Sequence, residues 1–340
     1  MIATAFWCSA DARSLFPRDR LSPTQLDRLV HFSSLDTDKH PDGEVRILPA
    51  DAAESHHCSV TDEALLIQTV NLGARNAQDR ALLEIAMTAD AVRSMCPRAR
   101  LTLVMPYIPY LRQDRRHPAG TALGSAVVGR LLRASGIDRI VTVDPHFQQA
   151  EAALGVPTMM LDPAPSLAQR VFRAASSLNE PTEGWVVVAP DAGAAKRAER
   201  FLDALNVTVT EAMAAADGSV ASFWRKPIEL TVGRKERLPG RTAQVTHLVL
   251  PEGLRGKGVI IVDDILDTGG TITSAAAAAW AGGSVRGATI AAVTHPLCSP
   301  GAREAMPAEM PVIALDTVVP CERIATLELV PAWALLSRAF

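Results

Sequence analysis

Residues 258–275 read GVIIVDDILDTGGTITSA. Four consecutive β-branched residues, Val259 to Val262, have the composition of a strand buried on both faces. They run into the paired carboxylates of Asp263 and Asp264. Asp267 follows, then Thr268-Gly269-Gly270-Thr271, then an alanine run of helical composition. A buried strand that feeds a helix through a short polar turn is the repeating unit of a parallel α/β sheet. In such sheets ligands sit beyond the carboxyl ends of the strands.

The chemistry of the turn points to one kind of ligand. A helix N-terminus offers backbone N–H groups and the positive end of a dipole. Glycines let the backbone approach an anion closely, and Thr268 and Thr271 add hydroxyl donors. Together they make a phosphate cradle. Ionised carboxylates only accept hydrogen bonds, so Asp263 and Asp264 suit the hydroxyls of a sugar. Ribose 5-phosphate has both features at this spacing. An aspartate N-cap before a glycine-rich turn would explain a lone Asp-Asp pair, but not the whole arrangement from 263 to 271.

The same design recurs outward from this point. Strands are expected at 64–70, 100–107, 138–144 and 184–190, and helices at 80–95, 120–136, 193–206 and 273–283. "VRGATIAAVTHP" and "MPVIALDTVV" read as the last strands, and residues 320–340 as a C-terminal helix. The fold class is therefore α/β, with mostly parallel sheets flanked by helices. The two prolines of "LDPAPSLAQ" (161–169) mark a boundary. The expected domains are 1–163 and 164–319, with the last helix able to pack back on the first.

Bulk properties agree. A chain of 340 residues suits two domains. A net charge of −3 gives no reason to expect nucleic acid or an anionic membrane as partner. Five scattered cysteines without a CxxC pair fit free thiols in a reducing cytoplasm. No apolar run approaches the roughly 18 residues that span a bilayer. The opening "MIATAFWCSADARSLF" reads as a first strand rather than a signal peptide. His56-His57-Cys58 has no further ligand cluster in sight, so no transition-metal site is read there.

Three further strand ends carry polar loops. "MPYIPYLRQDRR" (105–116) holds Arg112, Arg115 and Arg116 around Gln113 and Asp114, a set suited to a polyphosphate or to a solvated loop. "VDPHFQQ" (143–149) places His146 past a strand, where a histidine is often structural. "APDAGAAKRAERF" (189–201) places Asp191 between a strand and a helix.

These loops together resemble the ribose-phosphate pyrophosphokinase (PRPP synthetase) family. "VDDILDTGGTI" is similar to the phosphoribosyl-pyrophosphate (PRPP) loop shared by type I phosphoribosyltransferases and PRPP synthetases. The Pro-Tyr-x-x-Tyr-x-Arg-Gln-Asp-Arg order at 106–115 resembles the ATP-site motif of the synthetases alone. "DPH" resembles their Asp-x-His segment, and "PDAGAAK" the pyrophosphate-side loop in a form closer to archaeal-type members. "HPDGEVRI" (40–47) is similar to the adenine segment, with His40 where the family usually has Phe. "GRKERLPG" (233–240) resembles the mobile catalytic loop, and "RKP" (225–227), with Lys226, competes for that place.

The resemblance implies two tandem type I phosphoribosyltransferase-like domains. It implies transfer of the pyrophosphoryl group of ATP to the 1-hydroxyl of ribose 5-phosphate, giving PRPP and AMP. By the same resemblance, ATP falls to Asp42, Glu44, Arg112, Gln113, Asp114 and His146. Ribose 5-phosphate falls to Asp263, Asp264, Asp267, Thr268, Gly269, Gly270 and Thr271. Mg²⁺ falls to His146 and Asp191, and transition-state closure to Lys235 and Arg237. A cytoplasmic homo-oligomer without nucleic-acid or membrane partners is expected. The alternatives are a non-catalytic regulatory paralogue, signalled by the extra segment 208–232 and His40, or a PRPP-using phosphoribosyltransferase. A pyrophosphokinase with another sugar acceptor ranks below them, since the sugar loop is intact.

Overall fold

The structure, a computed structural model, describes residues 4–9, 29–39, 44–49, 62–116, 118–147, 149–178, 183–215, 222–237 and 246–339. For 4–9, 29–39, 45, 48–49, 222–223, 235–237 and 246–247 it describes the backbone only. His40, Asp42 and residues 56–58 lie outside this set.

The chain divides into two compact units. The first comprises Met1–Leu161, Thr317–Val319 and Ala332–Phe340; the second comprises Asp162–Asp316 and Pro320–Pro331.

The first unit holds β1 (Thr4–Ser9), β2 (Leu29–Lys39), β3 (Val45–Pro49), β4 (Glu63–Ile67), α1 (Ala77–Met95), β5 (Arg100–Val104), α2 (Gly124–Ala134), β6 (Arg139–Val143), α3 (Ala150–Leu154) and β7 (Thr158–Leu161). Its strands form one sheet in the order β3-β2-β1-β4-β5-β6-β7. The described pairings are parallel except that of β2 with β3. β4 and β5 are buried after their first residues, as central parallel strands covered on both faces must be. The expected strands end earlier than their apolar runs suggest. Residues 68–70 and 105–107 are buried but leave the ladder as the chain turns into polar loops.

The second unit holds α4 (Ala164–Ala175), β8 (Trp185–Ala189), α5 (Ala195–Ala215), β9 (Glu229–Val232), β10 (Arg234–Arg237), β11 (Thr246–Val249), β12 (Gly258–Leu266), α6 (Gly270–Ala281), β13 (Thr289–Pro296), α7 (Ala302–Ala305), β14 (Val312–Leu315) and β15 (Leu327–Val330). Its main sheet runs β15-β14-β13-β12-β8-β9, parallel throughout, and β10 pairs antiparallel with β11. All of β8 and β13 is buried. α4 buries Ala164, Leu167, Ala168, Val171 and Ala175, one stripe at helical spacing. Its prolines lie at Pro163, the N-cap, and Pro165 in the first turn, where a missing N–H costs nothing. The punctuation read in "LDPAPSLAQ" is thus a helix start.

Two expectations are corrected. Residues 320–340 are not one helix. Leu327-Glu328-Leu329-Val330 forms the edge strand β15, Pro331 breaks the chain, and only Trp333–Leu336 (α8), continued as a 3-10 turn through Ala339, is helical. The helix expected to stop at 206 runs to Ala215. Its β-branched turn is held by Thr208 and Thr210, whose hydroxyls donate to Ala204 and Asn206 carbonyls, while Val209 continues the buried stripe of Ala198, Phe201 and Leu205. Among the described residues no helix is long and apolar enough to cross a membrane.

Candidate active site

The carboxyl end of β12 is asymmetric. On one side its ladder with β8 stops at Ile261↔Val188, while on the other its ladder with β13 continues to Leu266↔Pro296. Asp263 and Asp264 therefore lie on a strand that has outrun one neighbour, which opens space beside them. Asp264 is buried, at 5% exposure, and its N–H donates to Asp263 Oδ1 at 2.9 Å. Burial raises the Asp263 carboxyl to about 8, helped by the charge of Asp264 and a hydrogen bond between the two carboxyls; the Asp264 N–H and Arg197 pull the other way. In the ligand-free protein the pair thus tends to keep a proton between them.

The turn that follows is braced from below. Cys298 and Ser299 N–H groups donate to the Leu266 and Asp267 carbonyls at 2.9 and 3.2 Å. Gly269 has φ +84°, and a Cβ there would meet Met306 Sδ at 3.1 Å. Both facts require glycine. Gly270 differs: a Cβ there would find only Thr268 Oγ1 at 3.8 Å. Gly270 is exposed at the first position of α6, where the helix leaves its first N–H groups without intrahelical acceptors. Thr268 is exposed and Thr271 half-buried on the same turn. Thr273, which the sequence reading passed over, locks it by donating its hydroxyl to the carbonyls of Gly269 and Ala305.

A second loop leaves the adjacent strand β8. Asp191 Oδ1 accepts the Gly193 N–H at 3.0 Å, closing a turn that leads into α5. From α5, Arg197 reaches back to Asp264, with Nη2 3.8 Å from Oδ2. Arg197 escaped the sequence reading because its partner lies on another strand; its only local signal was a basic pair, Lys196-Arg197, just past the Asp191 loop.

Lys235 and Arg237 lie in β10, paired in register with Leu248 and Thr246. β10 begins beside the Asp191 loop. The Gly233 N–H donates to the Ala189 carbonyl at 2.8 Å, and a Cβ on Gly233 would stand 2.6 Å from the Pro190 carbonyl oxygen. The competing Lys226 sits elsewhere, with Nζ 3.3 Å from Glu183, just ahead of the amino end of β8. Next to it Trp224 stacks on Trp185, the first residue of β8, with ring centroids 5.4 Å apart. Trp224 and Lys226 of the extra segment thus sit at the opposite end of the strand from Asp191.

In the first unit, the start of the loop after β5 is tied to the end of strand β6. Met105 N–H donates to Val141 O, and Val143 N–H and Thr142 Oγ1 donate to Pro106 O. Tyr110 has φ +66°, and its hydroxyl donates to Asp79 in the first turn of α1. That contact raises the Tyr110 pKa. Gln113 lies over Gly124, where a Cβ would come within 2.5 Å of its Oε1. Arg112 and Gln113 are exposed and Asp114 half-buried. The expected cluster is partly committed to its own loop: Arg115 pairs with Asp114 at 3.2 Å, and Arg116 donates to Thr121 O at 2.7 Å. His146 is exposed past β6, after a buried Asp144 with φ +37°. Glu44 is exposed just before β3.

A parallel sheet whose strand-end carboxylates precede a glycine-rich helix start defines an α/β domain of the phosphoribosyl-binding class. The comparisons with known proteins agree and go further. Residues 158–317 match the phosphoribosyl transferase domain, and residues 28–136 match the N-terminal domain of ribose phosphate pyrophosphokinase. A ribose-phosphate pyrophosphokinase of Chlorobaculum tepidum is 30% identical over 271 residues, covering 78% of this chain and 73% of that protein. Ribose-phosphate pyrophosphokinase 1 of Streptococcus pyogenes is 29% identical over 286 residues, covering 83% and 78%. The crystal structure of phosphoribosylpyrophosphate synthetase from Mycobacterium smegmatis shares the fold, with a TM-score of 0.75 at 24% identity over 99% of this chain and 97% of that one. The chain belongs to the ribose-phosphate pyrophosphokinase family.

Proposed function

We propose that this chain transfers the pyrophosphoryl group of ATP to the 1-hydroxyl of ribose 5-phosphate, releasing PRPP and AMP. The observation that carries the reading is the end of β12, where two carboxylates stand beside an uncovered helix start. A PRPP-using phosphoribosyltransferase would share that feature. What favours the synthetase is an N-terminal unit of the pyrophosphokinase type, whose strand-end loops carry Arg112-Gln113-Asp114 and His146.

In this reading Asp263 and Asp264 accept hydrogen bonds from the ribose hydroxyls. Asp267, Thr268, Gly269, Gly270 and Thr271 cradle the 5-phosphate. Asp42, Glu44, Arg112, Gln113, Asp114 and His146 serve ATP. The anomeric hydroxyl approaches the β-phosphorus in line with the leaving AMP oxygen, so the protein's task is alignment and charge neutralisation. Lys235 and Arg237 close on the transferring group. The donors fit Mg²⁺: His146, exposed, would serve the ion that accompanies ATP, and Asp191, half-exposed, would serve a second ion on the pyrophosphate side. Bound there, Mg²⁺ would neutralise charge on the transferred phosphates. A cytoplasmic homo-oligomer is the assembly this reading expects, and light scattering of the purified protein checks it.

The test is direct. Purified protein with Mg²⁺, ATP and ribose 5-phosphate should yield AMP and PRPP in equal amounts by chromatography. Lys235→Ala should lower kcat by about 10²–10³ with little change in either KM. Activity untouched by that change would move the catalytic loop to Lys226. A wild-type protein that binds ATP and ribose 5-phosphate yet makes neither product would be the regulatory paralogue instead.

A further inference from the structure

Arg197 carries a charge that the roles above leave unused. Its side chain is 12% exposed, in the first turn of α5, and faces Asp264, whose side chain is 8% exposed. A guanidinium cannot shed its proton in a protein. Its burial must be met by an anion, and the nearby Asp264 carboxylate supplies one. At 3.8 Å the contact is Coulombic rather than a hydrogen bond. It favours the ionised form of Asp264. Its neighbour Asp263 leans the other way, toward holding a proton. Arg197 also pulls on Asp263, but Asp264 is the carboxylate it stands 3.8 Å from.

Resting on the ribose 5-phosphate reading of this site, we infer that Arg197 is a positioning residue: it holds Asp264 ionised and in place, so that Asp264 is the member of the pair that accepts the sugar hydroxyls. Arg197 itself touches no reacting atom. Its effect must then pass through Asp264 and must fall on the sugar substrate rather than on the nucleotide.

A double-mutant cycle tests this. Arg197→Met should raise the KM for ribose 5-phosphate by about tenfold or more while leaving the KM for ATP within about twofold. Arg197→Lys, which keeps the charge, should recover most of the loss. Asp264→Asn should raise the sugar KM comparably, and the double variant R197M/D264N should be no worse than D264N alone. Effects that multiply in the double variant, or a loss shared equally between the two KM values, would overturn the inference, because a residue that only supports the fold behaves that way. If circular dichroism shows R197M unfolded, Arg197→Gln takes its place in the cycle. Failure of the synthetase reading shows separately, as a wild-type protein that makes no PRPP. Equilibrium binding of ribose 5-phosphate to the same four proteins then decides the point, and R197M binding as tightly as wild type would refute it.

Discussion

Asp263 carries a consequence for stability. Its carboxyl has an ordinary value of 3.8 and is raised to about 8 in the folded, ligand-free chain. A raised acid makes the folded state bind more protons than the unfolded one between those two values. The second unit should therefore be most stable below about pH 4 as far as this group goes, and lose that contribution as pH rises through about 8. Thermal melts from pH 5 to 9 should show the decline, and Asp263→Asn should flatten it. A wild-type curve identical to that of D263N would mean that the pair is ionised throughout. The pair and the turn after it were legible in the sequence because strand, carboxylates and cradle are contiguous there. Arg197 was not legible, because an ion pair between a helix and a distant strand leaves no spacing to read.

Gly269 and Gly270 look alike in sequence and differ in what they serve. Gly269 answers to the protein: its positive φ strains any side chain, and Met306 would have to shift to admit one. Gly269→Ala should cost on the order of 1–3 kcal/mol in stability, read by denaturant unfolding. Gly270 is the one the proposed phosphate cradle would need, since the space over it holds no protein atom nearer than Thr268 Oγ1. Gly270→Ala should leave the melting temperature unchanged or slightly raised but should weaken ribose 5-phosphate binding in calorimetry. Normal binding by G270A would remove the cradle from the proposal. The elements themselves were readable wherever apolar periodicity was strong, as in β12 and α1. The reading slipped at 207–210, where β-branched residues continue a helix because their hydroxyls and the buried stripe hold it. It slipped again at 327–330, where an apolar run too short to declare a period forms an edge strand.

The two units are not two successive halves of the chain. Val319 N–H donates to Val70 O and Leu72 N–H to Val319 O, while Leu335 and Leu336 are buried in the same first unit. Deleting residues 332–340 should thus weaken the first unit, by roughly 3–6 kcal/mol for two buried leucines, and leave ribose 5-phosphate binding by the second intact. Two-phase unfolding with only the first phase shifted would bear this out; a single shifted transition would count against it. The return of 317–319 and 332–339 to the first unit was not readable, because nothing local in those residues says which unit they join. The arrangement also orders events on the ribosome. Leading domains usually fold as they emerge, yet this one is completed by residues made long after its sheet. At about 5–20 residues per second, its first strands wait on the order of fifteen to sixty seconds for the segment that finishes them. The first unit is therefore sealed only after most of the second has been made, and a nascent chain stalled before residue 317 would display an incomplete first unit to the cell's chaperones.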